Sequence, residues 1–245
     1  RGVTRNTVSF YMRILRSVYN KAVGEGIASQ RAPFEKVYTG VDKTRKRAVD
    51  MATIESLRKL DLRGSRSLAY ARDLFVFSFY MRGMAFVDMA YLRKSDVRDQ
   101  TAQYIRRKTG QSLCIRLEPC ITEIIRRYAR KTKNSPYVFP IIAATDENEA
   151  YAQYQNALSY YNKLLKKLSK LLQADTPLSS YVSRHTWATT ARNCDIPLSV
   201  ISAGLGHRSQ ATTQIYLASL EDSVIDEANR KIIFSLNRPG KTSSL

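Results

Sequence analysis

Between Leu178 and Leu220 the chain reads LSSYVSRHTWATTARNCDIPLSVISAGLGHRSQATTQIYLASL. It gathers Arg184, His185, His207 and Tyr216 into one short stretch. Arg184 to Arg192 carries small and apolar residues at helical spacing, and Asn193-Cys194 interrupts it. Asp195 reads as an N-cap ahead of Pro197, so a second helix is expected from about Pro197 to Gly204, with Gly206 as its stop. Ser209 is placed to cap a third helix that carries Ile215 and Tyr216. Taken singly, each of these side chains is ordinary: a solvated arginine, a structural histidine, a core tyrosine. Grouped, they have the types that attack on a phosphodiester needs. A free tyrosine ionises near pH ~10 and is a weak nucleophile without nearby positive charge or a base. Phosphate oxygens suit arginine, whose planar fork binds two at once.

Arg184-His185-Thr186, Leu205-Gly206-His207 and a tyrosine nine residues after that histidine, Tyr216, together resemble the C-terminal boxes of the tyrosine recombinase (phage integrase) family. The resemblance implies that the arginine and histidine are phosphate ligands and that Tyr216 is the nucleophile. It also directs attention upstream. An apolar run through Leu74, Phe75, Phe77 and Phe79 ends at Tyr80-Met81-Arg82-Gly83, and Asp88 follows. An arginine leaving so apolar a run is costly to bury without an anionic partner. By resemblance Arg82 is the other phosphate clamp and Asp88 stands for its supporting acid, six positions on where the family pattern has three. The plain alternative is an ion pair between Arg82 and Asp88. A β-hairpin is expected from Tyr104-Ile105-Arg106-Arg107 and Leu113 to Leu117, around Lys108-Thr109-Gly110-Gln111. The family carries a catalytic lysine on such a hairpin. Lys108 is the matching position, with Arg107 the alternative, and its role would be to protonate the departing 5′-oxygen. Three residues before Arg184 the family usually has histidine, and here stands Tyr181, which can donate a hydrogen bond but is a poor base near neutral pH.

These groups need a scaffold. A short helix capped by Thr53, a long one from about Ser67, one from Pro119 to about Lys131 and another from Ala150 to Leu172 are expected to supply it. The last reads as a leucine face (Leu164, Leu165, Leu168, Leu171) with a basic face of Lys163, Lys166, Lys167 and Lys170. The expected fold class is therefore mainly α with a small antiparallel β-sheet, an α+β arrangement, and the resemblance implies the tyrosine recombinase catalytic fold. From Glu221 to Leu236 a final amphipathic helix is expected. The resemblance gives it the role of docking on a neighbouring protomer, in a homo-oligomer that is a tetramer on DNA.

Upstream, Val8, Tyr11, Met12, Leu15, Val18, Tyr19 and Ala22 follow one helical face, and one helix cannot bury its own stripe. Residues 1–42 are read as the C-terminal part of a helical core-binding domain with its linker, and 43–245 as the catalytic domain. The chain starts at Arg1 rather than Met and reads as a fragment of a longer protein. Lys43, Arg45, Lys46 and Arg47 form a cluster that either lies solvated or follows a phosphate backbone.

Forty Lys and Arg against twenty-one Asp and Glu give a formal charge of +19, spread along the chain, which points to a polyanion such as double-stranded DNA. No apolar run approaches a membrane span. Three separated cysteines offer no zinc spacing and are read as buried small hydrophobes in a reducing, cytoplasmic setting close to the nucleoid. The function expected is a site-specific recombinase, an integrase of a mobile element, working through a 3′-phosphotyrosine intermediate. One phosphoester replaces another in that chemistry, so no cofactor and no metal is expected. A type IB topoisomerase-like strand relaxer and a catalytically inactive DNA-binding regulator on the same fold are the alternatives.

Overall fold

The computed structural model describes residues 2–42, 48–207 and 213. Tyr216, the third helix capped by Ser209, the C-terminal helix and the basic cluster Lys43, Arg45, Lys46 and Arg47 lie outside the described residues. The chain divides into two compact units, Arg1–Lys46 and Arg47–Leu245.

The first unit is one helix, α1 (Arg5–Gly24), with an irregular segment folded back along it. Thr4 caps α1 by accepting from the Thr7 N–H. The return segment is tied on by side chains: Ser9 Oγ donates to the Gly40 carbonyl at 2.5 Å, and Asn6 exchanges two hydrogen bonds with the backbone of Asp42. Of the apolar stripe, Val8, Tyr11, Leu15 and Val18 stay exposed within this unit.

The second unit is built round α3 (Arg66–Tyr80), whose residues from Leu74 to Phe79 are all buried. A helix that is apolar on every side must be enclosed. Accordingly α2 (Met51–Lys59), α5 (Pro119–Ala129), α6 (Glu147–Leu171) and α7 (Val182–Asn193) all pack against it. Asp50, not Thr53, caps α2: its carboxylate accepts from the Thr53 N–H at 2.7 Å. The aspartate lies three residues before that amide, so Thr53 is the capped residue rather than the cap. On α6, Leu164, Leu165 and Leu168 are buried and the four lysines exposed as expected, but Leu171 is 56 % exposed where the helix runs past the core.

After α3 come the short α4 (Phe86–Ala90), a 3-10 turn at Lys94–Asp96 and a three-stranded antiparallel sheet, β1 (Val97–Arg98), β2 (Thr101–Ile105) and β3 (Ser112–Arg116). β1 is a short strand that the sequence pattern does not announce. Register sets Tyr104 opposite Leu113 and Ala102 opposite Ile115, all four facing the core. Cys114 points outward, and Cys120 and Cys194 are exposed too. That corrects the reading of the cysteines as core residues: Cys114 falls on the solvent face fixed by the strand's two-residue period. The last described helix, α8 (Leu198–Leu205), ends at Gly206 in the left-handed region, φ +62°. It starts at Pro197 with no side-chain cap. Asp195 itself has a φ of +58° and forms the turn before the helix, so it is not an N-cap. Among the described residues no helix is long and apolar enough to cross a membrane.

Candidate active site

Arg184 opens the first turns of α7 and is 2 % exposed. Its guanidinium is held from two sides by backbone. One Nη donates to the Gly83 carbonyl at 2.9 Å, the other to the Leu205 carbonyl at the end of α8. The turn at Gly83 is what lets α7 approach. Gly83 has a φ of +69°, and a Cβ there would lie 2.6 Å from the Cα of Arg184. Ser78 and Ser183 close the same junction, with their hydroxyls 2.7 Å apart and Ser78 Oγ donating to the Met84 carbonyl.

His207 follows Gly206 and meets Arg184, Nε2 to Nη2, at 3.1 Å. On its other side Nδ1 lies 2.8 Å from Oγ1 of the buried Thr213. An arginine only donates, so Nε2 must accept and the ring proton sits on Nδ1, facing Thr213. Burial, and next the charges of Arg184, Arg106 and Lys108, push the imidazole down to about 4, which leaves it neutral at physiological pH. Burial and the charge of Arg106 lower Arg184 to about 10, still cationic.

Sequence reasoning passed over two of the groups assembled here. Arg106 is 4 % exposed while its neighbour Ile105 is 67 % exposed, the reverse of what their polarity suggests. The strand period puts Arg106 on the same face as Tyr104, and that alternation is the signal that marks it. Its Nη1 donates to the Gly206 carbonyl, and its Nε lies 3.9 Å from Asp88 Oδ2, both side chains buried. Thr213 is the second. It lay inside a stretch read as helix, with nothing in its type to mark it.

Asp88 is 4 % exposed, and among the described residues it pairs with Arg106, not with Arg82. Its other oxygen accepts from the Arg107 N–H at 2.8 Å. Burial raises its carboxyl, against the pull of that N–H and of Arg106, Arg184 and Arg107. Arg82 sits beside the Gly83 turn, half-buried, with a φ of +56°, and its positive charge acts on the Tyr104 hydroxyl. Lys108 is exposed at the hairpin loop, near enough for its charge to lower His207. Arg107, the alternative, turns aside: its guanidinium stacks 3.9 Å over the Tyr91 ring and faces Glu147. Tyr181 precedes α7, its ring edge-on to His185 at 5.1 Å, and its hydroxyl acts electrostatically on Arg184.

The described site therefore brings Arg184, His207, Arg106 and Asp88 into contact, with Arg82, Lys108 and Tyr181 around them. Among these residues four cations, Arg82, Arg106, Lys108 and Arg184, surround one carboxylate, Asp88. Three buried atoms in it, Arg184 Nε, Arg106 Nε and Asp88 Oδ2, have no hydrogen-bond partner among the described residues. Arg106 Nε and Asp88 Oδ2 face each other at 3.9 Å, and the remaining donor, Arg184 Nε, with the charges of Arg82 and Lys108 around it, can seat an anion with tetrahedral oxygens.

The family model described as "Phage integrase family" matches residues 49–222. Among solved structures, a lambda integrase (75–356) dimer bound to a COC′ core site is 15 % identical with a TM-score of 0.61, covering 83 % of this chain and 70 % of that one. The Tn1549 transposon integrase in complex with a circular intermediate DNA is 15 % identical with a TM-score of 0.65, covering 94 % and 80 %. XerH site-specific recombinase bound to a palindromic difH substrate, a post-cleavage complex, is 14 % identical with a TM-score of 0.65, covering 93 % and 67 %. No curated protein matches the chain.

Proposed function

The chain belongs to the phage integrase family, whose fold is that of the tyrosine recombinases, and on that premise we propose that it cuts and rejoins double-stranded DNA at specific sites, through a 3′-phosphotyrosine intermediate, to integrate or excise a mobile element. The observation that carries the reading is the Arg184–His207 pair, 3.1 Å apart, with a positive surround and an Arg184 Nε that has no hydrogen-bond partner among the described residues. A scissile phosphate would complete it.

In this mechanism the Tyr216 oxygen bonds to phosphorus as the bond to the 5′-oxygen breaks. The phenolic proton leaves to solvent, and Lys108 protonates the 5′-oxygen. Arg82 and Arg184 neutralise the equatorial oxygens of the transition state, with Tyr181 donating a further hydrogen bond. His207 can donate to the phosphate only with its proton on Nε2. In that tautomer the Nδ1 proton has left to solvent and another has been taken up at Nε2, the Thr213 hydroxyl turns from acceptor to donor at Nδ1, and the Arg184 Nη2 hydrogen freed from the imidazole faces the phosphate while the Leu205 contact is kept. The attack exchanges one phosphoester for another, so the bond energy is kept for rejoining. The basic cluster Lys43, Arg45, Lys46 and Arg47 adds salt-dependent hold on the backbone. We assign residues 1–42 to the end of a core-binding domain, and the C-terminal segment to contacts between protomers of a tetramer.

Covalent trapping tests the reading. The full chain is expressed in cells that carry its element and lysed in SDS, and the DNA attached to it is sequenced, with Tyr216→Phe as control. Adducts that vanish in the variant support the assignment. Equal adducts in both exclude Tyr216, and DNA binding without any adduct favours the inactive regulator.

A further inference from the structure

Two arginines precede Lys108, and only one of them is enclosed. Arg106 sits at the base of the hairpin loop, and its backbone closes that loop at both ends. Its N–H donates to the Gln111 carbonyl at 2.9 Å, and its carbonyl accepts from the Gly110 N–H at 2.8 Å. Its side chain then ties the closed loop to two other segments: the Gly206 carbonyl, one residue before His207, and the carboxylate of Asp88. Asp88 completes the attachment by taking the Arg107 N–H, on the residue between Arg106 and Lys108. The fit at Gly206 is close. A Cβ there would stand 2.7 Å from Arg106 Cδ, so the stem of the arginine lies where any larger residue would put its side chain.

The rest of the loop holds itself poorly. Thr109 Oγ1 and Gln111 Oε1 are buried without partners among the described residues. An enclosed arginine is expensive, and an exposed Ile105 beside it returns nothing in stability, so the inverted pattern indicates a role in placing groups.

We infer that Arg106 is a positioning residue that fixes the Lys108 loop to the His207 turn, with Asp88 as its counter-ion, so that the lysine ammonium reaches the leaving oxygen. This rests on the recombinase reading above.

The prediction separates a misplaced proton donor from a damaged fold. The leaving 5′-oxygen takes a proton as its bond to phosphorus breaks. A sulfur in the same bridging position departs as a thiolate, since thiols ionise near pH ~8.5, and needs none. A duplex carrying the site recovered by trapping is made in both forms, nicked so that cleavage cannot reverse. Single-turnover adduct formation by the full chain is followed for wild type, Lys108→Ala, Arg106→Gln and Asp88→Asn, and Trp187 fluorescence checks that each is folded. Arg106→Gln should slow cleavage of the oxygen substrate on the order of 10²-fold, the loss expected when a donor is misplaced by about 1 Å. On the sulfur substrate it should return to within about threefold of wild type, as Lys108→Ala does, and Asp88→Asn should show the same recovery from a smaller loss. Equal slowing on both substrates, or no slowing on either, overturns the inference while the recombinase reading stands. If Arg106→Gln does not fold, Asp88→Asn alone decides by the same two criteria. A wild-type chain that forms no adduct with either duplex overturns both readings.

Discussion

Gly83→Ala isolates the contact on which the site depends. The backbone there is in the left-handed region, φ +69°, which costs a residue with a Cβ roughly 1–2 kcal/mol. The new methyl would stand 2.6 Å from Arg184 Cα and 2.8 and 2.9 Å from its Cγ and Cβ. Because one of those atoms is backbone of α7, no rotamer change relieves the contact. Overpacking of this kind adds roughly 1–3 kcal/mol, so about 2–5 kcal/mol is expected in all. For a unit of this size each kcal/mol lowers the melting temperature by roughly 2–4 °C, which puts the fall between about 4 and 20 °C. Trp187, the single tryptophan, lies one turn along α7 from Arg184 and reports thermal unfolding of this unit alone. Gly64→Ala is the internal control: a Cβ there meets nothing within 4 Å, and a surface change of that sort is worth about ±0.5 kcal/mol. If Gly83→Ala melts within about 2 °C of wild type, or if Gly64→Ala falls as far, the account of the α7 junction is wrong.

Three further outcomes are expected. His207 has its folded-state pKa depressed to about 4 against 6.5 unfolded, so the unfolded chain binds more protons between those values. The stability tied to its neutral form is full above pH 6.5 and is lost as pH falls toward 4, and urea midpoints of His207→Asn should decline less steeply over that window than those of wild type. Asp73, 3 % exposed on α3, accepts from Arg72 at 3.0 Å and from Arg127 and the Tyr128 hydroxyl at 2.7 Å. Asp73→Ala should cost about 1–3 kcal/mol in urea unfolding, since it leaves the buried Tyr128 hydroxyl without its acceptor, whereas Asp61→Ala, which breaks an exposed pair with Arg63, should leave the urea midpoint close to that of wild type. Asp50→Ala removes the cap of α2 and should lose about 0.5–2 kcal/mol, and Thr53→Ala, which leaves the capped amide in place, should lose less.

Helical spacing in the sequence marks α3, α5, α6, α7 and α8, because each carries an apolar stripe and a stop that local chemistry dictates, such as Gly206 after Leu205. Capping was less legible. Thr53 and Asp195 have the right side chains, but a cap is defined by which amide points at it, and at both places the backbone chose otherwise. Of the site, Arg184 and His207 were visible as a pair through their boxes. Asp88 was visible as an acid, but not as a hairpin anchor, because its partners, Arg106 and the Arg107 N–H, stand in the hairpin 18 and 19 residues further on. Arg106 was hidden by its company: an arginine in a basic hairpin reads as solvated until strand register turns it inward. Cys114 went astray for the same reason, since on a strand burial belongs to the pleat and not to the residue type.

The two carbonyls that grip the Arg184 guanidinium come from segments more than a hundred residues apart in the chain, the Gly83 turn and the end of α8. A side chain that clasps both cannot be removed without leaving those buried acceptors bare, at roughly 1–3 kcal/mol each. Inactivity after changing Arg184 would thus confound lost chemistry with lost architecture, and a decoy that binds DNA without cutting is better made at the exposed Lys108. Under the recombinase reading the clasp also acts as an interlock: a nascent or damaged chain whose segments have not met has no assembled phosphate seat, and so poses no threat to the genome until it is folded.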